Sequence, residues 1–428
     1  MLAAALVAAG RAGGAVPTVP VATVTTTIVG LTDTAGGGYD PPDPQVAAGP
    51  GFVVEMANLA ERVWRTDTGA PQLVQTIPLS VFYGTGADGL TDPRILWDTS
   101  SGRWLASISN EDQSSVMLAV SHGSDPTGDW SVYSFPAGGC ADQPRLGVAD
   151  GVIVLAADVF QKCEGFSPVL GNKVWVVNKQ QAVAGATTVS STSFGPDTTH
   201  ASLQPVQSLS PTATEYVVGV DNPSSRVVHV FAVDGVPPAA VTMQPVAQPA
   251  ILPLSLPPDG QQPHPNATVR TNDDRILDAV WEGGKLWFSA NTGCIPDGDT
   301  ALRACARVTE VSTDTLTVDW DVNLGQAKAY LYYPAIRPDA SGTSSSCTAS
   351  RRRTRTRRSS SRVARRTGRS QRPPSLRAAG SRISATATAT TSAPPAIPST
   401  LRSSRSSGRP PPLPRRPKAG PARSRPCR

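Results

Sequence analysis

The sequence lacks most of the features that point directly to a function class. Only 5% of its 428 residues are aromatic, it has four histidines, and no run approaches the roughly 20 apolar residues of a membrane span. We therefore predict no membrane span. No Cys-x-x-Cys pair or Cys/His cluster is present, so no zinc or other metal site is predicted from ligand spacing. The motifs Gly-x-Ser-x-Gly, His-Glu-x-x-His and Walker A are missing too, which removes the strongest sequence signals of catalysis.

Acidic residues are missing from the C-terminal end. From Thr343 onward the chain has 21 Arg, one Lys and no Asp or Glu, which leaves 17 basic and 33 acidic residues before that point. The first 342 residues therefore carry a formal charge near −16, and the overall +6 comes from the end of the chain. Because phosphate binding needs a cationic surface, we predict that the body of the chain binds no nucleic acid.

Short runs rich in Val, Ile, Trp, Tyr and Thr fill residues 20–342, separated by clusters of Gly, Pro, Asp and Ser. No long segment has the 3.6-residue spacing of an amphipathic helix, and 41 Pro with 37 Gly would interrupt most helices. The sequence therefore predicts an all-β domain over residues 21–342.

A pattern recurs through this domain: a polar residue and often Pro open a strand, a Gly-bearing turn follows, and a second strand carries an aromatic or branched residue. The units begin near residues 43, 92, 142, 203, 274 and 333, spaced by about 50 to 70 residues. Such hairpins bury one face only beside neighbours, so we predict a β-propeller of six or seven blades whose last blade is missing or incomplete. The alternative is a pair of β-sandwiches in which the Asp-Pro turns recur by coincidence.

The chain resembles a family of secreted bacterial propeller-like proteins, mostly of uncharacterised function. The resemblance covers roughly residues 43–342 and rests on the segments 43–54, 92–104, 119–130 and 275–281. It implies the fold and export, and it brings no established catalytic residues. Members of the family continue after the equivalent of residues 333–342 with another strand and a unit containing a Gly-Asp-Tyr type motif, which this chain lacks.

The Arg-rich tail, residues 343–428, contains no Phe, Tyr or Trp, so we predict that it is disordered. One hypothesis is an out-of-frame translation of GC-rich DNA, because the codons of residues 389–395, read from their last bases, permit Asp-Tyr-Phe-Gly-Ala-Ala. The chain would then be a damaged product without function. The alternative is a cationic arm for nucleic acid, acidic glycans or a membrane surface. Resequencing that returns one intact reading frame would exclude the first hypothesis.

Two features indicate export. Residues 1–20 begin with a short apolar run that ends among small residues, which is typical of a secretory signal remnant, although a basic segment is missing; the alternative is an apolar or disordered N-terminus. Cys140 and Cys163 bracket a strand-like segment, and Cys294 and Cys305 bracket a polar loop. We predict two local disulfides and a secreted or extracellular protein, with four unrelated buried thiols as the alternative.

The acids at the unit starts are the candidate site. The inner strands of a propeller converge on a central channel, which could bring four aspartates and three arginines together: Asp43, Asp92, Asp142, Asp274, Arg94, Arg145 and Arg275. Such a ring could hold Ca²⁺ through oxygen ligands or act in acid/base chemistry. The alternative is that these residues are structural caps and ion pairs between blades. No other cofactor is predicted.

These features favour a monomeric, non-catalytic extracellular propeller that presents a loop-rich face to a glycan or a protein. The alternative is a glycoside hydrolase or sialidase-like enzyme on the same scaffold, since propeller glycosidases use scattered carboxylates that no short motif reports. An enzyme of this kind needs two carboxylates about 5 to 9.5 Å apart, whereas a binding protein does not.

Overall fold

The computed structural model describes residues 28–32, 34–38, 43–86, 89–221, 223–262 and 267–338, together with the backbone of residues 344–352. These residues form twenty-five β-strands and two short α-helices. The predicted all-β class is therefore confirmed. The predicted signal remnant, residues 1–20, and the tail from residue 353 lie outside the described residues.

The first three sheets are four-stranded antiparallel meanders. The first contains β1 (Gln45–Gly49), β2 (Phe52–Ala57), β3 (Ala60–Arg65) and β4 (Gln72–Pro78), followed by helix α1 (Leu79–Tyr83). The second contains β5 (Leu90–Asp98), β6 (Arg103–Asn110), β7 (Ser115–Ser121) and β8 (Trp130–Pro136). The third contains β9 (Cys140–Val148), β10 (Val152–Phe160), β11 (Val169–Asn178) and, after helix α2 (Lys179–Val183), β12 (Ser191–Asp197).

The remaining sheets follow the same plan with two departures. The fourth contains β13 (Ala201–Pro205), β15 (Glu215–Val220), β16 (Val228–Asp234) and β17 (Thr242–Ala247). The short β14 (Gln207–Ser208) follows β13 along the chain but pairs with strands of the third and fifth sheets. The ribbon of β18 (Gly260–Gln261) and β19 (Thr268–Val269) precedes the fifth sheet, β20 (Ile276–Glu282), β21 (Lys285–Cys294), β22 (Arg303–Ser312) and β23 (Thr317–Leu324). The sixth sheet has two described strands, β24 (Ala329–Pro338) and β25 (Ser344–Arg352).

The first strands of the six sheets surround a common axis. β1 contacts β5, β5 contacts β9, β13 contacts both β9 and β20, and β20 contacts β24. One small cavity is lined by a side chain from each sheet: Gln45, Arg94, Leu146, Gln204, Asp278 and Arg337. A ring of radial sheets around one axis is a β-propeller. The predicted propeller with an incomplete last blade is therefore the observed fold, with six blades in the described part of the chain.

β14 departs from the meander pattern. Its residue Gln207 pairs in parallel with Val148 of β9 on one side and Val280 of β20 on the other. The innermost strand of the fourth blade therefore connects the third and fifth blades through backbone hydrogen bonds.

The four interfaces between consecutive blades from the first to the fifth each have an apolar core. Val54 and Trp104 belong to the cluster between the first two blades, and Leu118 and Leu155 to the cluster between the second and third. Similar clusters fill the next two interfaces. The middle strands face a neighbour on both sides, which is why the sequence of β10, Val-Ile-Val-Leu-Ala-Ala-Asp-Val-Phe, is buried almost throughout rather than on alternate residues.

Both predicted disulfides are present. Cys140–Cys163 joins the start of β9 to the segment after β10, and Cys294–Cys305 joins β21 to β22. β25 pairs antiparallel with β24 and lies beyond residue 342, where the sequence analysis placed the end of the domain. Among the described residues no helix is long and apolar enough to cross a membrane.

Candidate functional site

The same backbone irregularity occurs near the start of several inner strands. In the second, third, fourth and sixth blades, two residues of the inner strand face one residue of its neighbour, which makes a β-bulge. The first residue of each bulge has a left-handed backbone, as does the residue that precedes β1 by two positions: Asp43, Asp92, Gln143, Ser202 and Tyr333, with φ from 42° to 57°. A left-handed backbone costs a non-glycine residue roughly 1 kcal/mol or more. Each bulge redirects the side chains beside it, and the polar groups below come from these positions.

The bulges bring the carboxyl groups of Asp43, Asp92 and Asp142 together, and we call these three groups the acidic rim. The charge of Asp92 is close enough to act on both of the other two carboxyls, whose pKa values it raises. Asn58 connects two blades within this cluster, because its Nδ2 donates to Asp43 Oδ2 at 2.8 Å and its Oδ1 accepts from the Asp92 backbone N–H at 2.8 Å. The Gln143 backbone N–H also donates to Asp92 Oδ2 at 3.2 Å. Three consecutive blades therefore contribute one carboxyl each.

Two of these carboxyls titrate near neutral pH. Burial, together with the negative charge of Asp92, raises the pKa of Asp43 to about 7. Burial and the charges of Asp92 and Asp158 raise the pKa of Asp142 to about 7 as well. A substantial fraction of each group is therefore protonated at pH 7.

An ion-pair network lies next to the acidic rim. Asp158 of β10 accepts from Arg145 Nη2 at 2.9 Å, from Arg275 Nη1 at 3.0 Å and from Ser202 Oγ at 2.9 Å. Arg275 also donates hydrogen bonds from Nε and Nη2 to the Asp273 carboxylate. Burial by itself would raise the pKa of Asp158, but the two guanidinium groups lower it below its ordinary value. The network joins the third, fourth and fifth blades and holds Asp158 ionised.

The other two predicted residues face different surroundings. Arg94 lines the axial cavity and donates from Nε to the Pro144 carbonyl at 3.0 Å, and burial lowers its pKa. Asp274 does not join the acidic rim, because its Oδ2 accepts from the Ser224 backbone N–H at 2.7 Å and the residue is fully buried. The structure therefore places five of the seven predicted residues in the rim and the network, with Arg94 beside them, and Asp273 rather than Asp274 pairs with Arg275.

Sequence analysis missed four polar residues of the site: Asn58, Gln143, Asp158 and Asp273. Asp158 had a usable signal, since it is a lone acid inside an apolar strand, where an ionised group requires a partner. Asn58 and Gln143 had none, because their roles depend on which blades meet. Tyr333 was noted only as the start of a repeat unit. The residue is 41% exposed. Its partial burial and the nearby charge of Asp43 raise the pKa of its hydroxyl to about 12.

The acidic rim is a loose set of ligands for a cation. Among the described residues, the one set of three His, Cys, Asp or Glu ligand atoms that lie within 4.8 Å of each other is Glu111, Cys140 and Cys163. Both of those sulfurs are consumed in a disulfide. The three rim aspartates do not approach each other this closely, so they do not form a compact ligand set for Ca²⁺.

Comparison with known proteins yields structural likenesses only. No protein-family model and no curated protein sequence matches the chain. It is similar to a neuraminidase-like protein from A/bat/Guatemala/164/2009, at 10% identity and a TM-score of 0.40 over 69% of this chain and 77% of that one. The haemagglutinin-neuraminidase ectodomain of parainfluenza virus 5 also has 10% identity and a TM-score of 0.40, over 69% of this chain and 74% of that one.

A third similar structure is an α-L-arabinofuranosidase from Lactobacillus brevis, at 11% identity and a TM-score of 0.31 over 59% of this chain and 81% of that one. At such identities and scores these likenesses carry no argument about a ligand or an activity. Function is therefore argued from the residues of the chain itself.

Proposed function

We propose that this chain is an extracellular propeller that binds a neutral glycan at the acidic rim and the neighbouring Tyr333 ring. The observation that carries the proposal is the cluster of carboxyl groups from three blades, held by Asn58 and the Gln143 backbone, in which Asp43 and Asp142 have a pKa of about 7. Protonated carboxyls donate hydrogen bonds, and the remaining carboxylate oxygens accept them. Sugar hydroxyls need both kinds of partner.

The charges around the rim favour a neutral ligand. The carboxylates of Asp158 and Asp273 are already paired with the guanidinium groups of Arg145 and Arg275. An added ion would have to compete with these pairs in a partly buried setting, where an unpaired charge is costly. A polyol adds hydrogen bonds without adding charge.

Tyr333 supplies an aromatic surface beside the rim. Its hydroxyl donates to the Arg270 carbonyl at 3.5 Å, and its backbone N–H donates to Asn291 Oδ1 at 2.8 Å, which fixes the left-handed residue in place. An exposed ring held in one orientation can pack against the apolar face of a sugar at little entropic cost. The two disulfides support the extracellular part of the proposal, because they persist in oxidising compartments.

Binding to a panel of neutral and anionic oligosaccharides, followed by titration calorimetry on any hit, tests the proposal. We expect a neutral oligosaccharide to bind, and Tyr333→Ala to weaken it by roughly fivefold or more. Phe166→Ala is the matched control, because Phe166 is 44% exposed and lies in the segment after β10. Equal losses in the two variants, or a panel in which only anionic sugars bind, would contradict the proposal.

Glycoside hydrolysis is the second candidate function, and one observation favours it. A carboxyl that stays protonated near pH 7 beside a second carboxyl is the arrangement that general acid catalysis requires. If the site is catalytic, Asp142→Asn should abolish release of the leaving group from aryl glycosides while oligosaccharide binding persists. Binding by the wild-type protein with no hydrolysis of any aryl glycoside would leave the binding function alone.

A further inference from the structure

A second candidate site lies between the third and fourth blades, away from the acidic rim. It is a cavity of about 180 Å³ whose walls come from β11, β12, β13, β16 and β17. Phe194, Phe231 and Met243 belong to the apolar lining, and Asp197 is also a lining residue. None of the described residues that line it is Lys or Arg.

Hydrogen bonds hold one wall of the cavity in place. The lining residue Asn172 donates from Nδ2 to the His200 carbonyl at 2.7 Å and accepts at Oδ1 from the Leu203 backbone N–H at 2.9 Å. Phe231 is 6% exposed and packs edge-on against the His200 ring, with 5.1 Å between the ring centroids. The cavity is therefore preformed, which reduces the entropic cost of filling it.

Two Asp–His pairs lie beside the cavity. Asp197 Oδ2 is 2.6 Å from His200 Nδ1, and Asp221 Oδ1 is 2.9 Å from His229 Nε2. The two imidazole rings are only 4.5 Å apart between centroids. The two pairs therefore form one contiguous cluster of polar side chains.

Asp197 is the acidic residue among the described residues that line the cavity. Burial would raise the pKa of Asp197, but hydrogen bonds from His200 and from the Thr199 backbone and hydroxyl lower it below its ordinary value. The Asp197 carboxylate is therefore ionised at neutral pH.

We propose that this cavity binds a small organic ammonium cation with apolar substituents, of about the size of choline. The ligand would place its alkyl groups against Phe194, Phe231 and Met243 and its charge towards Asp197. Aromatic faces attract cations through the ring quadrupole, and the carboxylate adds a full opposite charge in a partly desolvated setting. An inorganic cation lacks the apolar surface to fill the cavity, and a neutral apolar molecule gains nothing from the carboxylate.

Choline and its neutral isostere 3,3-dimethylbutan-1-ol provide the direct test, with titration calorimetry on the full chain. The two probes share shape and differ in the central charge. We expect choline to bind at least about fivefold more tightly than the alcohol. Equal affinities would overturn the proposal, because the cavity would then select apolar shape alone. No saturable choline binding at millimolar concentration would overturn it as well.

Two variants locate the site. Asp197→Asn keeps the shape and most hydrogen-bonding capacity of the side chain and should weaken choline at least about fivefold, whereas Asp297→Asn, on an exposed loop of the fifth blade, should not. Phe231→Leu keeps apolar volume without a ring and should weaken choline more than it weakens the alcohol. Unchanged choline affinity in both cavity variants would place the binding elsewhere and refute the assignment.

Discussion

Asn58 bridges Asp43 and Asp92, which belong to different blades: its Nδ2 donates to Asp43 Oδ2 at 2.8 Å, and its Oδ1 accepts from the Asp92 backbone N–H at 2.8 Å. Burial and the negative charge of Asp92 raise the pKa of Asp43 to about 7. Ionisation of the acids in this cluster therefore opposes the fold as the pH rises through about 7.

We predict that Asp142→Asn makes the protein more resistant to unfolding at pH 8 than the wild type. Burial raises the folded-state pKa of Asp142 to about 7, above the unfolded value near 4, so the folded state binds the proton more tightly. Wild-type stability contributed by this group is full below about pH 4 and is lost as the pH rises towards 7. The variant should gain roughly 1–2 kcal/mol, after allowance for solvent screening.

Denaturant unfolding of both proteins from pH 4 to pH 8.5 measures this effect. The difference between variant and wild type should grow up to about pH 7 and then level off. Taking the difference cancels the opposite contribution of Asp158, whose lowered pKa stabilises the fold as the pH rises. A difference that does not change with pH would show that Asp142 is not protonated in the folded protein.

Asp158→Asn should destabilise the protein by roughly 3–5 kcal/mol, because it leaves two guanidinium groups without their shared carboxylate. Arg145 is 2% exposed and lies 2.9 Å from Asp158, so solvent cannot replace the lost partner. Asp150→Asn, at the exposed turn between β9 and β10, is the control and should stay within about 0.5 kcal/mol of the wild type. A loss below about 1 kcal/mol in Asp158→Asn would mean that the network contributes little.

The sequence was sufficient to predict the order and type of the strands. Turn residues and branched or aromatic runs act locally, and units that start near residues 43, 92 and 142 each correspond to a blade. The two disulfides were predictable for the same reason, since each joins strands that are adjacent in the chain. The link through β14 was not, because Gln207 pairs with strands that lie far from it in sequence.

In the site too, features set by nearby sequence were predictable, whereas contacts between blades were not. A recurrent Asp-Pro or Gln-Pro start predicted where Asp43, Asp92 and Asp142 would be, and the bulges explain why they converge. The orientation of Asp274 could not be predicted, because it depends on the Ser224 backbone of another blade. Neighbouring acids such as Asp273 and Asp274 are indistinguishable in sequence until the fold directs one of them to Arg275.

Removing the Cys294–Cys305 disulfide by a double Ser substitution should cost roughly 3 kcal/mol, because the bond limits the unfolded chain. Cys294 and Cys305 are 11 residues apart, whereas Cys140 and Cys163 are 23 residues apart. Removing the Cys140–Cys163 disulfide should therefore lower the free energy of unfolding by about 0.5 kcal/mol more than removing Cys294–Cys305. Denaturant unfolding of both double variants measures the two losses. If adding a reductant leaves the wild-type transition unchanged while both double variants unfold earlier, the substitutions and not the lost bonds would be responsible.

The buried pair Lys179–Asp98 should couple the second and third blades energetically. Lys179 is 4% exposed, and its Nζ lies 2.6 Å from Asp98 Oδ2, 2.6 Å from Ser100 Oγ and 2.8 Å from the Ala149 carbonyl. Lys179→Met and Asp98→Asn should each cost roughly 3 kcal/mol or more, because each leaves a buried group without its partner.

The double variant of this pair decides between coupling and simple loss of packing. With both charges removed no ion is left unpaired, so the double variant should lose less than the sum of the single losses, by roughly 1–3 kcal/mol. Denaturant unfolding of the wild type, the two single variants and the double variant at pH 7 measures the coupling energy. Losses that add fully would show that Lys179 stabilises this interface through its hydrogen bonds to Ser100 and Ala149 and not through the charge of Asp98.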